Sequence, residues 1–183
     1  MIITDTKIDG VKVIQSEPFR DERGFFNRIF CREELSAIRP NMIIEQINHS
    51  MTALKGTVRG MHFQYPPHAE MKIVRCVKGS IFDVAVDLRK DSPTFLQWYG
   101  EILSSDNMKA LVVPEGCAHG FQSLEDMIEM IYLHTKAYCK EAECTLCYDD
   151  PKIAVQWSLP VEHVSEKDAS SSFILNNYKG ILL

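Results

Sequence analysis

The chain has 183 residues, with 20 lysines and arginines against 25 aspartates and glutamates, and 45% of its residues are hydrophobic. This length and composition predict one domain over residues 1–183 with its own core, and they exclude disordered, collagen-like and low-complexity classes. No apolar run reaches the ~18 residues of a membrane span, and residues 1–7 lack the features of a signal peptide. We therefore expect a cytoplasmic protein with no membrane partner. A net charge of −5 without a basic run gives no reason to expect nucleic acid as a partner.

Apolar and polar residues alternate with a period of two along most of the chain, which predicts short strands separated by turns. Two such runs, Lys72–Val77 and Ile81–Leu88, flank a turn that contains glycine, and this pattern predicts a β-hairpin. The other predicted strands, in chain order, are Val11–Gln15, Phe25–Phe30, Met42–Asn48, Trp98–Leu103, Ala110–Val113, Gly120–Leu124 and Met127–His134.

Helical signals are few. About two turns are predicted at Arg32–Ile38, which Pro40 ends, and a short turn is predicted after Asp150-Pro151. Residues 169–183 are predicted to form a looser C-terminal tail that wraps the rest. Many short strands with few helices predict an all-β sandwich or barrel of the jelly-roll kind, with short peripheral helices.

Six cysteines raise the question of a metal site. Cys144 and Cys147 have the spacing of half a zinc site, but no second Cys/His pair lies at a matching distance. Reduced thiols that fill a core are the better interpretation in a chain without an export signal, and we predict no metal.

The first of three unusually polar segments is Gly56–Gln64, which contains Arg59 and His62. Residues an odd number apart point to opposite faces of a regular strand. Gly60, which lies between them, permits a β-bulge that would re-aim both side chains.

The other two segments are Pro114–Phe121, where a Pro/Gly turn delivers His119 at a strand start, and Met130–Thr135. In the latter, Tyr132 and His134 share one strand face. A single strand histidine or tyrosine is more often a packing residue than a catalyst. Together, however, these side chains would make a poor barrel core, so the combination predicts a functional pocket.

A longer string of segments, in order over about residues 8–168, carries a resemblance to a known family: Asp21–Phe26, Gln46–Ser50, Arg59–Gln64, Lys72–Val74, Asp83–Asp87, Ser92–Phe95, Pro114–Phe121, Asp150-Pro151 and Ser165–Asp168. The string resembles the dTDP-4-dehydrorhamnose 3,5-epimerase family of nucleotide-sugar epimerases. The resemblance implies a cupin-type jelly roll, a homodimer with exchanged strands and shared active sites, and an isomerase without metal or other cofactor.

The implied substrate is a nucleoside-diphosphate 4-keto-6-deoxy sugar of deoxysugar biosynthesis, inverted at C5, C3 or both by proton abstraction next to the C4 ketone. By the same resemblance, His62 is the general base and is oriented by Asp168, which suits a side chain with a near-neutral pKa. Tyr132 matches the acid on the opposite face. Lys72 matches a cation near the C4 oxygen, where it would stabilise the enolate.

The remaining roles that the resemblance implies concern substrate binding. Arg59 and His119 match positions on the diphosphate side, with Arg23 reaching in from the partner subunit. Tyr138 matches a residue that stacks on the nucleobase. The other matched contact positions are Phe26, Arg28, Gln46, Asn48, Glu143 and Lys167.

Arg28 departs from the family pattern, which usually has a glutamate there that accepts a hydrogen bond from thymine. Arginine only donates hydrogen bonds, whereas cytosine offers acceptors. The alternative is therefore a CDP-3,6-dideoxy-4-keto-hexose 5-epimerase of an ascarylose-type pathway. A second interpretation leaves Arg28 in solvent. Ile47 and Lys136-Ala137 also depart from the pattern in this region.

Three rival functions remain open. A metal-dependent cupin is suggested by the second cupin motif around His119, but His62-Phe63-Gln64 lacks the ligands of the first motif. A non-catalytic sugar-binding jelly roll would not need an acid and a base on opposite faces. A ketoisomerase of the same fold would lack the acid that Tyr132 matches.

Overall fold

Two antiparallel β-sheets packed face to face make up most of this computed structural model, which describes residues 1–183. The elements in chain order are β1 (Ile2–Asp5), β2 (Lys12–Gln15), β3 (Phe19–Asp21), β4 (Gly24–Phe26), α1 (Arg32–Leu35), β5 (Gln46–Thr52), β6 (Thr57–Gln64), β7 (Lys72–Lys78), β8 (Ser80–Asp87), β9 (Trp98–Ser104), β10 (Lys109–Val113), β11 (Cys117–Ser123), β12 (Ile128–His134), β13 (Glu143–Thr145), β14 (His163–Val164) and α2 (Glu166–Ala169).

The first sheet has the strand order β1-β2-β10-β7-β12-β5. The second has the order β13-β6-β11-β8-β9, and β14 adds a short parallel pairing to β6. Strands β3 and β4 form a hairpin apart from both sheets. The predicted all-β architecture with short peripheral helices is confirmed.

Apolar side chains form three layers, one between the sheets and one on each outer face. Val74 and Leu111 of the first sheet meet Ala85 and Phe121 of the second in the central layer. On the outer face of the first sheet, residues such as Ile73 pack with α1 and the segment after it. Because both faces of β7 and β8 are covered over most of their length, most residues of these strands are buried, including the charged side chains of Arg75 and Asp83.

The predicted hairpin of β7 and β8 is wrong, although both strands exist. β7 pairs with β10 and β12, whereas β8 pairs with β11 and β9. Gly79, at a φ of +74°, carries the chain from one sheet to the other. Each strand is central in its own sheet, so neither has a free edge for the other.

Other boundaries differ from the sequence prediction for similar reasons. The strand predicted over Phe25–Phe30 ends at Phe26, because this apolar run is exposed and no sheet covers it. The strand predicted from Met42 begins at Gln46, since Met42 packs against the α1 side of the first sheet. Helix α1 is shorter than predicted, and β1, β3, β13, β14 and α2 were not predicted.

After α2, residues 170–183 follow the outer face of the second sheet. Ile174 and Ile181 are buried there, and Ile181 bridges to Arg89 beside the end of β8. Neither helix is longer than four residues, and none of the helices has the length and apolar character required to cross a membrane.

A β-bulge in β6 determines which side chains of this strand face the interior. His62 pairs with His119 of β11, whereas Arg59 pairs with Phe121, so three steps along β6 match two along β11. The predicted bulge is confirmed. At Gly60, φ is +134°, and an added Cβ would lie 2.5 Å from the Cα of Gly120.

We expect Gly60→Ala to lower the free energy of unfolding by about 1–3 kcal/mol, since a side chain is strained at this φ and would collide with β11. Gly24→Ala is the matched control, because Gly24 has a φ of +129° with nothing within 4 Å of an added Cβ. Denaturant titration of both variants measures the difference. Equal losses would show that the contact between β6 and β11 contributes nothing.

Candidate active site

A pocket of about 310 Å³ opens between the sheets at one end of the barrel. Strands β5, β7 and β12 of the first sheet and β6 and β11 of the second contribute to its walls. Only four of its 15 lining residues are hydrophobic, so it is a polar site rather than a packing defect. The lining consists of Gln46, Asn48, Ser50, Arg59, His62, Phe63, Gln64, Glu70, Lys72, His119, Phe121, Tyr132, His134, Tyr138 and Glu143.

His62 is held from behind by Asp168. Nε2 of His62 lies 2.8 Å from Oδ1 of Asp168, whose Oδ2 accepts a hydrogen bond from the backbone N–H of Gly60. Ser165 caps α2 by accepting from the Asp168 N–H and so fixes the carboxylate. Burial raises the pKa of Asp168, but its contacts with His62, Gly60 and Ser165 outweigh burial, and the net pKa is lowered. An ionised carboxylate only accepts, so Nε2–H donates and Nδ1 keeps a lone pair.

A second histidine–aspartate pair lies deeper in the barrel. His119 Nε2 lies 2.7 Å from Oδ1 of Asp83, and Asp83 is completely buried. Burial raises the pKa of Asp83, the opposite direction to Asp168. The His62 side chain is 32% exposed and that of His119 only 6%. Both histidines line the pocket, but His62 is the more exposed of the two, and its aspartate is the one whose pKa is lowered.

Tyr132 lies on the wall opposite His62, because β12 and β6 belong to different sheets. Its hydroxyl lies 3.1 Å from the Ser50 hydroxyl, and its ring stacks on His134 at 6.2 Å. The prediction that Tyr132 and His134 share a strand face is confirmed. Burial raises the pKa of Tyr132 to about 12, so the phenol carries its proton at neutral pH.

Lys72 lies at the inner end of the pocket with its side chain 9% exposed. Its ammonium group lies 3.0 Å from Oε1 of Glu70 and donates to the backbone carbonyl of His62 at 3.2 Å. The lysine is therefore attached to the strand that carries His62.

The rim of the pocket holds a ring of linked polar groups. The Tyr138 hydroxyl donates to Glu143 at 3.0 Å, and Lys167 forms an ion pair with the same carboxylate oxygen at 2.8 Å. Burial raises the pKa of Glu143, but these two partners outweigh it and the net pKa is lowered. Gln46 accepts from the Tyr138 N–H at 2.9 Å and donates to Asn48 at 3.1 Å. Tyr138 itself is 55% exposed, which leaves its ring free to stack.

Three predicted binding residues do not line the pocket of this chain. Arg23 and Phe26 lie on the exposed β3–β4 hairpin, where Arg23 binds Asp21. Arg28 follows this hairpin and forms an ion pair with Glu34 of α1 at 2.8 Å. The single chain therefore brings the other predicted site residues together, but not these three. All of the others line the pocket except Asp168 and Lys167, which contact the lining residues His62 and Glu143.

Sequence reasoning missed Ser50, Gln64, Glu70, Phe121 and Asp83 as residues of the site. A period of two would have found some of them, because Ser50 continues the face of Gln46 and Asn48, and Gln64 continues that of His62. Asp83 gave no local signal. Its partner lies 36 residues away and is brought close only by strand pairing.

Cysteines, a residue type that can bind metals, are also present outside the pocket. All six cysteines are free thiols, including Cys144 and Cys147. No group of three or more His, Cys, Asp or Glu side chains is arranged to hold a metal ion.

The comparisons with a family model, with related sequences and with solved structures all lead to the same family. A family model described as dTDP-4-dehydrorhamnose 3,5-epimerase matches residues 5–175. A protein of that name from Shigella flexneri is 41% identical over 169 residues, which cover 92% of this chain and 93% of the relative. The crystal structure of dTDP-6-deoxy-D-glucose-3,5-epimerase from Legionella pneumophila Philadelphia 1, in complex with dTDP-4-keto-L-rhamnose, is 38% identical with a TM-score of 0.89 and covers 94% of this chain and 92% of that one.

A more distant likeness is to a 3'-monoepimerase from Streptomyces bikiniensis in complex with dTDP-quinovose. It is 26% identical, with a TM-score of 0.87, and the match covers 93% of this chain and 86% of that one. These likenesses confirm the predicted cupin-type jelly roll.

The lowered pKa of Asp168 predicts a pH-dependent contribution to stability. Because the native pKa lies below the ordinary value of 3.8, the carboxylate stabilises the fold above that pH and loses this effect as pH falls through the native pKa. We expect Asp168→Asn to destabilise the protein at pH 7 and to cost progressively less below about pH 4.

Denaturant titrations between pH 3 and pH 7 measure this effect, with Asp9→Asn as a control at an exposed aspartate. A loss for Asp168→Asn that stays constant over the whole range would contradict the prediction.

Proposed function

Because this chain belongs to the dTDP-4-dehydrorhamnose 3,5-epimerase family, we propose that it epimerises a dTDP-4-keto-6-deoxy sugar through His62 and Tyr132. The observation that carries this proposal is the placement of a histidine with a free lone pair and a protonated phenol on facing walls of one polar pocket. An epimerase needs both, because one group removes a proton from one face of the sugar and the other returns a proton to the opposite face.

In the first step, Nδ1 of His62 removes the proton from a carbon next to the C4 ketone. The imidazolium that forms is stabilised by the ionised carboxylate of Asp168, 2.8 Å from Nε2. Negative charge then develops on the C4 oxygen. Lys72 is the cation of the inner pocket and would stabilise this enolate, while its attachment to the His62 carbonyl keeps base and cation in a fixed relation.

In the second step, Tyr132 donates its phenolic proton to the opposite face of the same carbon. Its contact with Ser50 at 3.1 Å orients the hydroxyl, and the remaining phenolate and imidazolium return to their starting states by proton exchange with solvent. The carbon that is inverted, C3 or C5, depends on which of them lies between His62 and Tyr132. Relatives of this chain include both 3,5-epimerases and a 3'-monoepimerase. We propose the 3,5-activity, because the relatives with the higher sequence identity are named for it.

For the nucleotide, the rim around Tyr138 would stack on the base, with Arg59 and His119 toward the diphosphate. The alternative of a CDP-sugar depends on Arg28 meeting the base. Arg28 already has a partner in Glu34, an ion pair that supports the dTDP assignment.

A cytoplasmic location stays a prediction from the sequence.

We also propose that two copies of this chain form a homodimer with shared active sites. The β3–β4 hairpin exposes three aromatic side chains, with Phe19 77%, Phe25 58% and Phe26 69% exposed. A two-stranded hairpin is marginally stable alone, and exposed apolar side chains, such as the cross-strand pair Phe19 and Phe26, mark an interaction site. Arg23 on this hairpin would enter the partner's pocket, where it adds a cation for the diphosphate.

Proton NMR in D₂O with dTDP-4-keto-6-deoxyglucose tests the proposed activity. We expect deuterium uptake at C3 and C5 together with inversion, and little uptake with CDP-3,6-dideoxy-4-keto-glucose. Exchange of the CDP-sugar alone would favour the ascarylose-type alternative. Failure to exchange either sugar would refute the epimerase assignment.

His62→Ala should reduce exchange by about 10²- to 10⁴-fold while nucleotide affinity stays nearly constant, since only the base is lost. Tyr132→Phe should keep exchange but lose inversion, because His62 then returns deuterium to the face it deprotonated. If nucleotide binding and exchange fell by one common factor in His62→Ala, a sugar-binding jelly roll would be the better description.

Complementation between two inactive variants tests the shared site. Arg23→Ala removes the residue that one subunit gives to a site, and His62→Ala removes the residue that the other subunit gives. After subunit exchange, the mixture should therefore contain heterodimers in which one of the two sites is intact. Random pairing restores roughly a quarter of the sites in an isologous dimer. Mixing Lys72→Ala with His62→Ala is the control without recovery, because both residues come from the same chain in each site. No recovery in the first mixture would contradict the shared site.

A further inference from the structure

Glu70 is a buried carboxylate of the pocket wall that has no part in the mechanism above. Its side chain is 6% exposed, and it lies two residues before Lys72, just outside β7. Donors converge on both of its oxygens. Lys72 lies 3.0 Å and His134 Nδ1 3.8 Å from Oε1, while the Gln64 amide donates to Oε2.

An ionised carboxylate is costly to bury unless charged or polar partners surround it. Burial raises the pKa of Glu70, but its contacts with His134 and Lys72 outweigh burial, and the net pKa is lowered. Glu70 is therefore an anion placed between two basic side chains at the inner end of the pocket.

The orientation of Gln64 shows that the site requires a carboxylate. Its Oε1 accepts the backbone N–H of Cys139 at 2.6 Å, so its NH₂ group must face Glu70. Lys72 has only N–H donors as well. A glutamine at position 70 would turn its own NH₂ toward one of these donors, whereas a carboxylate accepts from both sides.

Lys72 is consequently held at two points. One N–H of its ammonium group points to Glu70 and a second to the His62 carbonyl at 3.2 Å. A lysine side chain has four rotatable bonds, and two fixed contacts remove most of this freedom before substrate binds. The third N–H is left for the pocket.

We propose that Glu70 is a positioning residue, which fixes the Lys72 ammonium group so that it meets the C4 oxygen when the enolate forms. This inference rests on the proposed epimerase function and deepens it. Pre-oriented charge is worth most at the atom where charge develops, and a displacement of about 1 Å can cost up to 10²-fold in rate. Glu70 acts through Lys72 and makes no contact with the sugar.

The test compares kcat, KM and dTDP affinity for the wild type, Glu70→Gln, Glu70→Asp, Lys72→Ala and the double variant Glu70→Gln/Lys72→Ala. We expect Glu70→Gln to lower kcat about 10- to 100-fold with dTDP affinity unchanged. Glu70→Asp keeps the charge and should recover part of the loss. In the Lys72→Ala background, Glu70→Gln should cost nothing further, because its effect passes through the lysine.

Glu101→Gln is the matched control, since it removes the anion of another lysine–glutamate pair, 2.8 Å long, outside the pocket. It should leave kcat unchanged. Should Glu70→Gln fail to fold in thermal melts, Glu70→Asp with and without Lys72→Ala makes the same comparison.

Three results would each overturn the proposal. They are a Glu70→Gln variant with the kcat of the wild type, a fall in kcat that is equal with Lys72 and in the Lys72→Ala background, and a fall in dTDP affinity parallel to the fall in kcat. Absence of exchange by the wild type would instead refute the proposed function, and this inference with it. The wild-type measurement therefore separates the two failures.

Discussion

The bulge in β6 is the constraint on which the rest of the site depends. Gly60 and Gly120 let two backbones approach to a distance that no side chain would permit. In a regular strand, Arg59 and His62 would face opposite sides, and one of them would enter the outer apolar layer that Met61 occupies. The same bulge presents the Gly60 N–H to Asp168, the carboxylate that orients His62. One local irregularity thus presents two side chains of the site, Arg59 and His62, and the support for His62.

The proposed base and acid lie on the walls of different sheets, and each wall gives its side chain a different electrostatic environment. At the wall formed by the second sheet, Asp168 of α2 has a lowered pKa and holds its carboxylate 2.8 Å from His62. On the first sheet, burial keeps Tyr132 protonated. A histidine paired with a carboxylate on one wall and a protonated phenol on the other give the pocket the proposed base and acid, and a sugar ring between them would be reached on both faces. Lys72 belongs to the first sheet, yet it is anchored to His62 on the second, so it ties the two walls together.

Local patterns predicted those features that depend on local geometry. Period two placed Tyr132 and His134 on one face, and the glycine between Arg59 and His62 predicted the bulge. The turn at Gly79 was also predicted, but a glycine turn serves equally for a hairpin and for a change of sheet. Which of them forms is decided by strands that lie far away in the chain.

The same limit explains why Asp168 was found through resemblance alone. It lies 106 residues from His62, and no periodicity connects two positions at that distance. Asp83 and the Gln64–Cys139 contact, which spans 75 residues, belong to the same class of long-range pairings. Fold class and most of the site composition were therefore accessible from the sequence, whereas local patterns alone did not predict the supporting partners of the proposed catalytic side chains.

One chain supplies a complete inner pocket but an incomplete outer one. The proposed base, acid and enolate cation, with their supports, all come from one chain. At the rim, Lys167 is already paired with Glu143, so Arg59 is the main cation left to meet a diphosphate with two negative charges. The exposed β3–β4 hairpin carries a further arginine and three uncovered aromatic rings. In the proposed homodimer, burying those rings against a second copy would bring Arg23 to the partner's pocket, so assembly and nucleotide recognition would be a single event.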